Sequence, residues 1–162
     1  MKKISGGALI TKILIQNGIS KAFCVPGESY LGVLEAIRES KKKFDLVVCR
    51  HEGGAAYMAE AYGRLTQMPG ICFVTRGPGA CNASIGVHTA YHEGTPLILF
   101  VGQVPVKSLK KNAFQSIDTD KFFNSMAKYT ETIKDPKNIR KILEKAIYIS
   151  TEGKLSFSAD IN

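Results

Sequence analysis

The residues best suited by type and spacing to do chemistry are Arg50-His51-Glu52-Gly53-Gly54-Ala55-Ala56, which follow the apolar run Leu46-Val47-Val48. They put a carboxylate between a buried strand and a helix that opens on two glycines and two alanines. Glycines let a second backbone or a flat ligand approach closely. An acid beside such a surface is destabilising unless it is paired or used. Two structural roles compete with chemistry for Glu52. One is an ion pair with Arg50 or Arg64; the other is a helix N-terminal acid held by the macrodipole.

Other groupings carry less. Arg76-Gly77-Pro78-Gly79-Ala80-Cys81-Asn82 lies between a strand and a helix, but Asn82 stands where a dinucleotide fingerprint has its third glycine. No acid follows about 20 residues later to hold a ribose. Backbone N–H groups of that turn are still available to a ligand. His88 and His92 share a helical face with Glu93 beside them, and His51 is the only other histidine. A metal needs at least a third ligand, so the expectation is two ordinary polar histidines on a half-buried helix and no metal site. No P-loop and no Gly-x-Ser-x-Gly elbow occurs.

The elements that position these groups alternate between helical patterns and short apolar runs, which predicts βαβ units and a parallel sheet. Ser5 caps a first helix to Asn17, stopped by Gly18. Ala22 to Val25 reads as a strand ended by Pro26-Gly27, and a helix spans about Glu28 to Ser40. Leu46 to Cys49 is the next strand, followed by a helix from Gly53 to Thr66 with Ala55, Met58, Ala59, Tyr62 and Leu65 at helical spacing. Ile71 to Val74 is a strand, and Gly77-Pro78-Gly79 turns the chain into a helix reaching about His92. Leu97 to Val101 is the strongest strand. Gly102 to about Asp120 is irregular, a length that marks functional or mobile loops. A short strand near Ala127 to Thr132, a helix begun by Asp135-Pro136, and an alternating, partly exposed closing strand from Leu155 to Ile161 complete the chain.

The 162 residues predict one domain with a real core. No run approaches the ~18–20 apolar residues that span a bilayer, and the start lacks the apolar region of a signal peptide. The expected compartment is the cytoplasm. Cys24, Cys49, Cys72 and Cys81 form no Cys-x-x-Cys pair, and the first three lie in or beside apolar runs, as buried free thiols do. The net charge of +8 is concentrated at Lys41-Lys42-Lys43 and from Lys107 to Lys111. With little arginine and no interleaved aromatics, it reads as a solvated, anion-attracting face and not as a nucleic-acid footprint.

Four motifs, in order, resemble the pyrimidine-binding domain of thiamine-diphosphate enzymes of the acetolactate synthase type. Val25-Pro26-Gly27-Glu28 is similar to the turn after the first strand, and Arg50 to Ala59 to the glutamate segment and its helix. Thr75 to Asn82 is similar to the turn that touches the cofactor, and Ala113 to Asp118 to a loop carrying a site glutamine. The resemblance covers essentially the whole chain. It implies a three-layer α/β/α domain with a parallel sheet of about six strands. It makes Glu52 catalytic: in the family this glutamate hydrogen-bonds the aminopyrimidine ring and so promotes loss of the thiazolium proton. Pro26, Gly27, Pro78, Asn82 and Gln115 become the wall facing cofactor and substrate. Glu52 is expected to be buried among Gly53, Gly54 and apolar neighbours.

The resemblance also implies a 2-keto acid substrate. Lys107 to Asp118 has no histidine, unlike pyruvate decarboxylase-like members, and the presence of Glu52 argues against glyoxylate carboligase-like ones. Residues 1–162 contain neither a Gly-Asp-Gly motif nor an asparagine pair, by which the family holds the diphosphate through Mg²⁺. The expectation is therefore a single domain, 1–162, with the Mg²⁺ held by a domain or partner chain elsewhere, and FAD confined to a full-length relative. A homo-oligomer is expected through the Gly53-Gly54-Ala55-Ala56 face. Three readings stay open: a fragment inactive alone, a subunit of a split enzyme, and a non-catalytic interaction module.

Overall fold

The computed structural model describes residues 4–40, 43–109, 113–152 and 157–161. Lys41, Lys42, Lys110 and Lys111 of the two basic clusters lie outside the described residues, as does the start of the expected closing strand. The elements run α1 (Gly6–Gln16), β1 (Lys21–Cys24), α2 (Leu31–Glu39), β2 (Asp45–Val48), α3 (Glu52–Thr66), β3 (Gly70–Thr75) and α4 (Arg76–Glu93). They continue with β4 (Leu97–Gly102), α5 (Thr119–Phe123), β5 (Tyr129–Thr132), α6 (Ile139–Thr151) and β6 (Phe157–Ile161). All six strands are parallel, in the order β2-β1-β3-β4-β6-β5.

Side chains on a strand alternate between faces, and at β3 and β4 both faces are covered, whereas edge strand β2, expected to be buried, leaves Asp45 and Val48 exposed. Ile71, Phe73, Ile98 and Phe100 point toward one cluster with Ile10, Leu14, Val33, Ile37, Ile139 and Leu143 of α1, α2 and α6. Cys72, Val74, Leu97, Leu99 and Val101 point toward the other, with Ala55, Ala59, Ala83, Val87 and Phe123 of α3, α4 and α5. The three-layer α/β/α architecture is therefore the reason β3 and β4 read as continuous apolar runs. Phe73 and Phe100 stack at 4.7 Å in the first cluster.

The punctuation is largely as the sequence predicts. Ser5 Oγ accepts from Ala8 N at 3.1 Å, and Gly18 follows α1 with φ of +77°. Asp135 accepts from Lys137 N at 2.9 Å before Pro136. Three details differ. The second helix begins as a 3₁₀ turn, Glu28–Tyr30, before α2. Gly77-Pro78-Gly79 lies inside the first turn of α4, because β3 runs into that helix without a loop. The expected irregular segment is followed by an added short helix, α5, capped by Asp118, which accepts from Lys121 N at 3.2 Å. β6 closes the chain but lies inside the sheet, paired with both β4 and β5.

Candidate functional site

In this sheet the chain leaves β1 toward β2 on one side and returns to place β3 on the other. Connections that diverge from neighbouring strands leave a crevice at the strands' carboxyl ends, the usual place for a ligand in an open α/β sheet. Four segments converge there: the turn after β1, the start of α3, the start of α4, and the loop between β4 and α5.

Glu52 is the first residue of α3. The helix is opened by His51, whose Nδ1 accepts from Gly53 N at 3.1 Å. Asn82, in the second turn of α4, donates from Nδ2 to Glu52 Oε2 at 2.9 Å. Among the described residues no other donor reaches this carboxylate. Neither competing ion pair forms: Arg64 binds Glu60 at 2.8 Å and Glu93 at 3.4 Å, and Arg50 is exposed. Glu52 is half-buried, less enclosed than its glycine and apolar neighbours suggested, because Gly54 beside it is exposed and a Cβ there would meet nothing within 4 Å.

The close approach of α3 to α4 depends on small residues. A Cβ on Gly86 would lie 2.5 Å from Ala56 Cβ, and one on Gly53 would lie 3.2 Å from the Asn82 carbonyl oxygen. Gly53, Ala55 and Ala56 are thus buried within this chain, and only Gly54 of that quartet is exposed. This corrects the expectation of a four-residue association face: the other three residues face α4 or the sheet. His88 and His92 are exposed, with ring centroids 4.4 Å apart. Among the described residues no group of three or more His, Cys, Asp or Glu is placed to hold a metal ion.

At the ends of β1 and β3 the packing is as tight. A Cβ on Gly27 would come within 2.4 Å of Thr75 Cβ, so only glycine lets the two turns meet. Ser29 Oγ and Thr75 Oγ1 are 2.6 Å apart, and the Tyr30 hydroxyl donates to the Val25 carbonyl. Arg76 follows with φ of +43° and pairs through Nη2 with Glu28 Oε1 at 3.0 Å. Gln115, with φ of +61°, accepts from Gly77 N at 2.8 Å through its carbonyl. Its side chain is exposed. Buried Gln103 fixes this loop, donating to the Ile117 carbonyl at 2.9 Å and accepting from Val104 N at 3.0 Å. Pro26 and Pro78 are exposed at the rim.

Below the crevice, burial pushes the Cys24 thiol up to about 11, with Cys49 adding to the shift and a hydrogen bond with Tyr30 opposing it. Burial also raises Cys72 and Tyr30, and the charge of Glu52 adds to both shifts. Cys24 and Cys72 are buried and Cys49 is half-buried, as their apolar context predicts, whereas Cys81 is exposed on α4.

Of the residues singled out in the sequence, Glu52 and Asn82 are joined directly, Gly27 is locked to Thr75, and Gln115 is tied beside Pro78 through Gly77. No hydrogen bond among the described residues links Gln115 to Glu52 or Asn82. Ser29 and Gln103 lie outside the motifs the sequence offers, and Thr75 and Arg76 stand in its turn motif without a role of their own. Position directly after an apolar strand was the available signal for Thr75, Arg76 and Gln103.

Residues 4–122 match the family model described as "Thiamine pyrophosphate enzyme, N-terminal TPP binding domain". The chain belongs to this family. Among its relatives is an acetolactate synthase of Bacillus subtilis (strain 168), 35% identical over an aligned length of 164 that covers 98% of this chain and 28% of that protein. The acetolactate synthase isozyme 3 large subunit of Escherichia coli (strain K12) is 32% identical over 154 residues, 95% of this chain and 27% of that protein. The mitochondrial acetolactate synthase catalytic subunit of Saccharomyces cerevisiae is 33% identical over 151 residues, 93% and 22% respectively. The chain spans only about a quarter of the length of these relatives. As a thiamine pyrophosphate-binding domain it offers, at the strands' carboxyl ends, a carboxylate held at one oxygen and bordered by glycines. Such a group can accept a hydrogen bond from a heteroaromatic ring and hold a proton there. No helix among the described residues is long and apolar enough to cross a membrane.

Proposed function

We propose that residues 1–162 supply the pyrimidine half of a thiamine diphosphate site in an acetolactate synthase-like enzyme acting on 2-keto acids. The single observation that carries this reading is Glu52 at the start of α3 with Asn82 donating to its Oε2 at 2.9 Å. Bound there, thiamine diphosphate would supply a carbanion equivalent and an electron sink for decarboxylation and carboligation of the keto acid. Glu52 would hydrogen-bond the aminopyrimidine ring nitrogen and hold the proton exchanged with it; Asn82 would fix the carboxylate's orientation. Gly27 and Gly77 keep the wall low, and Pro26, Pro78 and Gln115 border it.

The diphosphate end does not fit these residues. The described residues offer no cluster of ligands for Mg²⁺, and residues 1–162 lack Gly-Asp-Gly. That half, and any FAD, belongs to a domain or partner chain beyond these residues. Residues 1–162 alone therefore bind the cofactor weakly and do not turn over. Exposed Tyr57, Met58 and Ile85 on α3 and α4, beside open Gly54, support a homo-oligomer or a complementary chain at this face.

The test is pyruvate consumption by residues 1–162 with thiamine diphosphate and Mg²⁺, with and without a lysate from the source organism, comparing Glu52→Gln. Activity that needs both lysate and Glu52 establishes the reading. Tight Mg²⁺-dependent binding of thiamine diphosphate by these residues alone would overturn the assignment of the diphosphate half elsewhere. Absence of activity in every mixture would favour a non-catalytic interaction module.

A further inference from the structure

The β3–α4 junction carries a cation that the proposed function does not use. The Arg76 side chain is only 17% exposed, whereas that of its partner Glu28 is 74% exposed. An ion pair with one partner so exposed adds little stability, so it does not account for burying the guanidinium. Moreover, Arg76 Nε is buried and finds no acceptor among the described residues. A buried N–H of a charged group left unpaired is costly. The backbone adds to the cost, since φ of +43° suits glycine better than arginine. What the position gains is the side chain itself.

We propose that Arg76 is the subsite for the carboxylate of the 2-keto acid, and that Glu28 is the internal carboxylate the substrate displaces. The inference rests on the function proposed above and adds a specificity-determining residue to it. The guanidinium fork matches a carboxylate in two parallel hydrogen bonds, and Nη2, now on exposed Glu28, supplies one of them once that carboxylate is displaced. Arg76 stands between Thr75, which packs on the Gly27 turn, and Gly77, which is bound to the Gln115 carbonyl. Asn82 lies six residues farther along α4, about 9 Å along the helix axis. A small keto acid held at Arg76 thus has its carboxylate kept apart from the like charge of Glu52. Glu28, exposed, neutralises the cation until substrate arrives.

A purely structural pair, latching the β1 turn to α4, makes the opposite prediction for Glu28. The deciding experiment is NMR of ¹⁵N-labelled residues 1–162, following the Arg76 Nε–H and Asn82 Nδ2–H₂ signals. Pyruvate is the probe, pyruvamide the uncharged control, and thiamine at millimolar concentration the test of the aminopyrimidine site. Expected are a saturable shift of Arg76 with pyruvate and none with pyruvamide. Glu28→Gln should tighten pyruvate by about two- to fivefold, the weight of one exposed ion pair. Read at the backbone amide of Gly77, Arg76→Gln should abolish the pyruvate shift and Arg76→Lys retain part of it, each in a chain whose amide spectrum stays dispersed. If thiamine moves Asn82 but pyruvate leaves Arg76 unmoved, the inference falls and the cofactor reading stands. If pyruvate moves Arg76 but thiamine never moves Asn82, the cofactor reading falls and takes the keto-acid assignment with it. If Glu28→Gln weakens pyruvate, the pair is a latch and the proposal is wrong. Because Glu28→Gln removes only an exposed carboxylate, it decides the matter even where Arg76 variants fail to fold.

Discussion

Asn82 Nδ2 lies 2.9 Å from Glu52 Oε2, tying the first residue of α3 to the second turn of α4. Two residues 30 positions apart thus share one hydrogen bond at the mouth of the crevice. In an assembly active on pyruvate, Glu52→Gln should lower kcat by about 10²–10⁴-fold, the range for removing a proton-handling group. Asn82→Ala should cost less, because it leaves the carboxylate in place but free to rotate. Steady-state kinetics alongside unchanged circular dichroism checks both. Equal rates for wild type and Glu52→Gln would remove Glu52 from the chemistry.

Two glycines of the α3–α4 layer should respond in opposite directions. Gly86→Ala forces a Cβ to 2.5 Å from Ala56 Cβ and 2.8 Å from the Ala56 carbonyl carbon. Overpacking of this kind costs about 1–3 kcal/mol. Gly54→Ala meets nothing within 4 Å in this chain and should stabilise the helix by up to about 1 kcal/mol. Urea denaturation measures both. Sedimentation then shows whether Gly54→Ala weakens self-association while the fold gains stability.

Stability should fall in mild alkali. Cys24 has its pKa moved from an ordinary 9.0 to about 11, chiefly by burial. Between those values the unfolded thiol ionises while the folded one keeps its proton. Its contribution is therefore complete below about pH 9 and is lost as pH rises through about 11. Cys72 and Tyr30 are shifted the same way and extend the loss to higher pH. Denaturation midpoints across this range should decline less steeply for Cys24→Ala than for wild type, and identical slopes would refute the assignment.

Gln103 should control the loop that carries Gln115. It is only 4% exposed, and its amide bonds the Ile117 carbonyl and its own neighbour Val104. Gln103→Leu leaves those backbone groups without their partners, at about 1–3 kcal/mol. Limited proteolysis should then cut between Val104 and Asp118 faster than in the native chain. An unchanged cleavage rate would show that other contacts hold the loop.

The sequence by itself determined the alternation of helices and strands, because apolar runs of strand length and capped helical patterns are local features. It determined the covered parallel sheet for the same reason: Ile71-Cys72-Phe73-Val74 and Leu97 to Val101 have no polar side to give to water. It also named Glu52 and Asn82, through motifs whose separations are written along the chain. The tertiary structure alone decided that these two residues bond to each other and that Arg64 turns to Glu60 instead. The pairing depends on how closely α3 crosses α4, which Gly53 and Gly86 set against residues distant in sequence. It alone placed β6 between β4 and β5, since strand order is a choice among long-range pairings that alternation does not encode. And it alone exposed the buried, half-satisfied Arg76, because a positive φ and an unpaired Nε arise only where the β1 turn, the β3–α4 junction and the Gln115 loop close on one point.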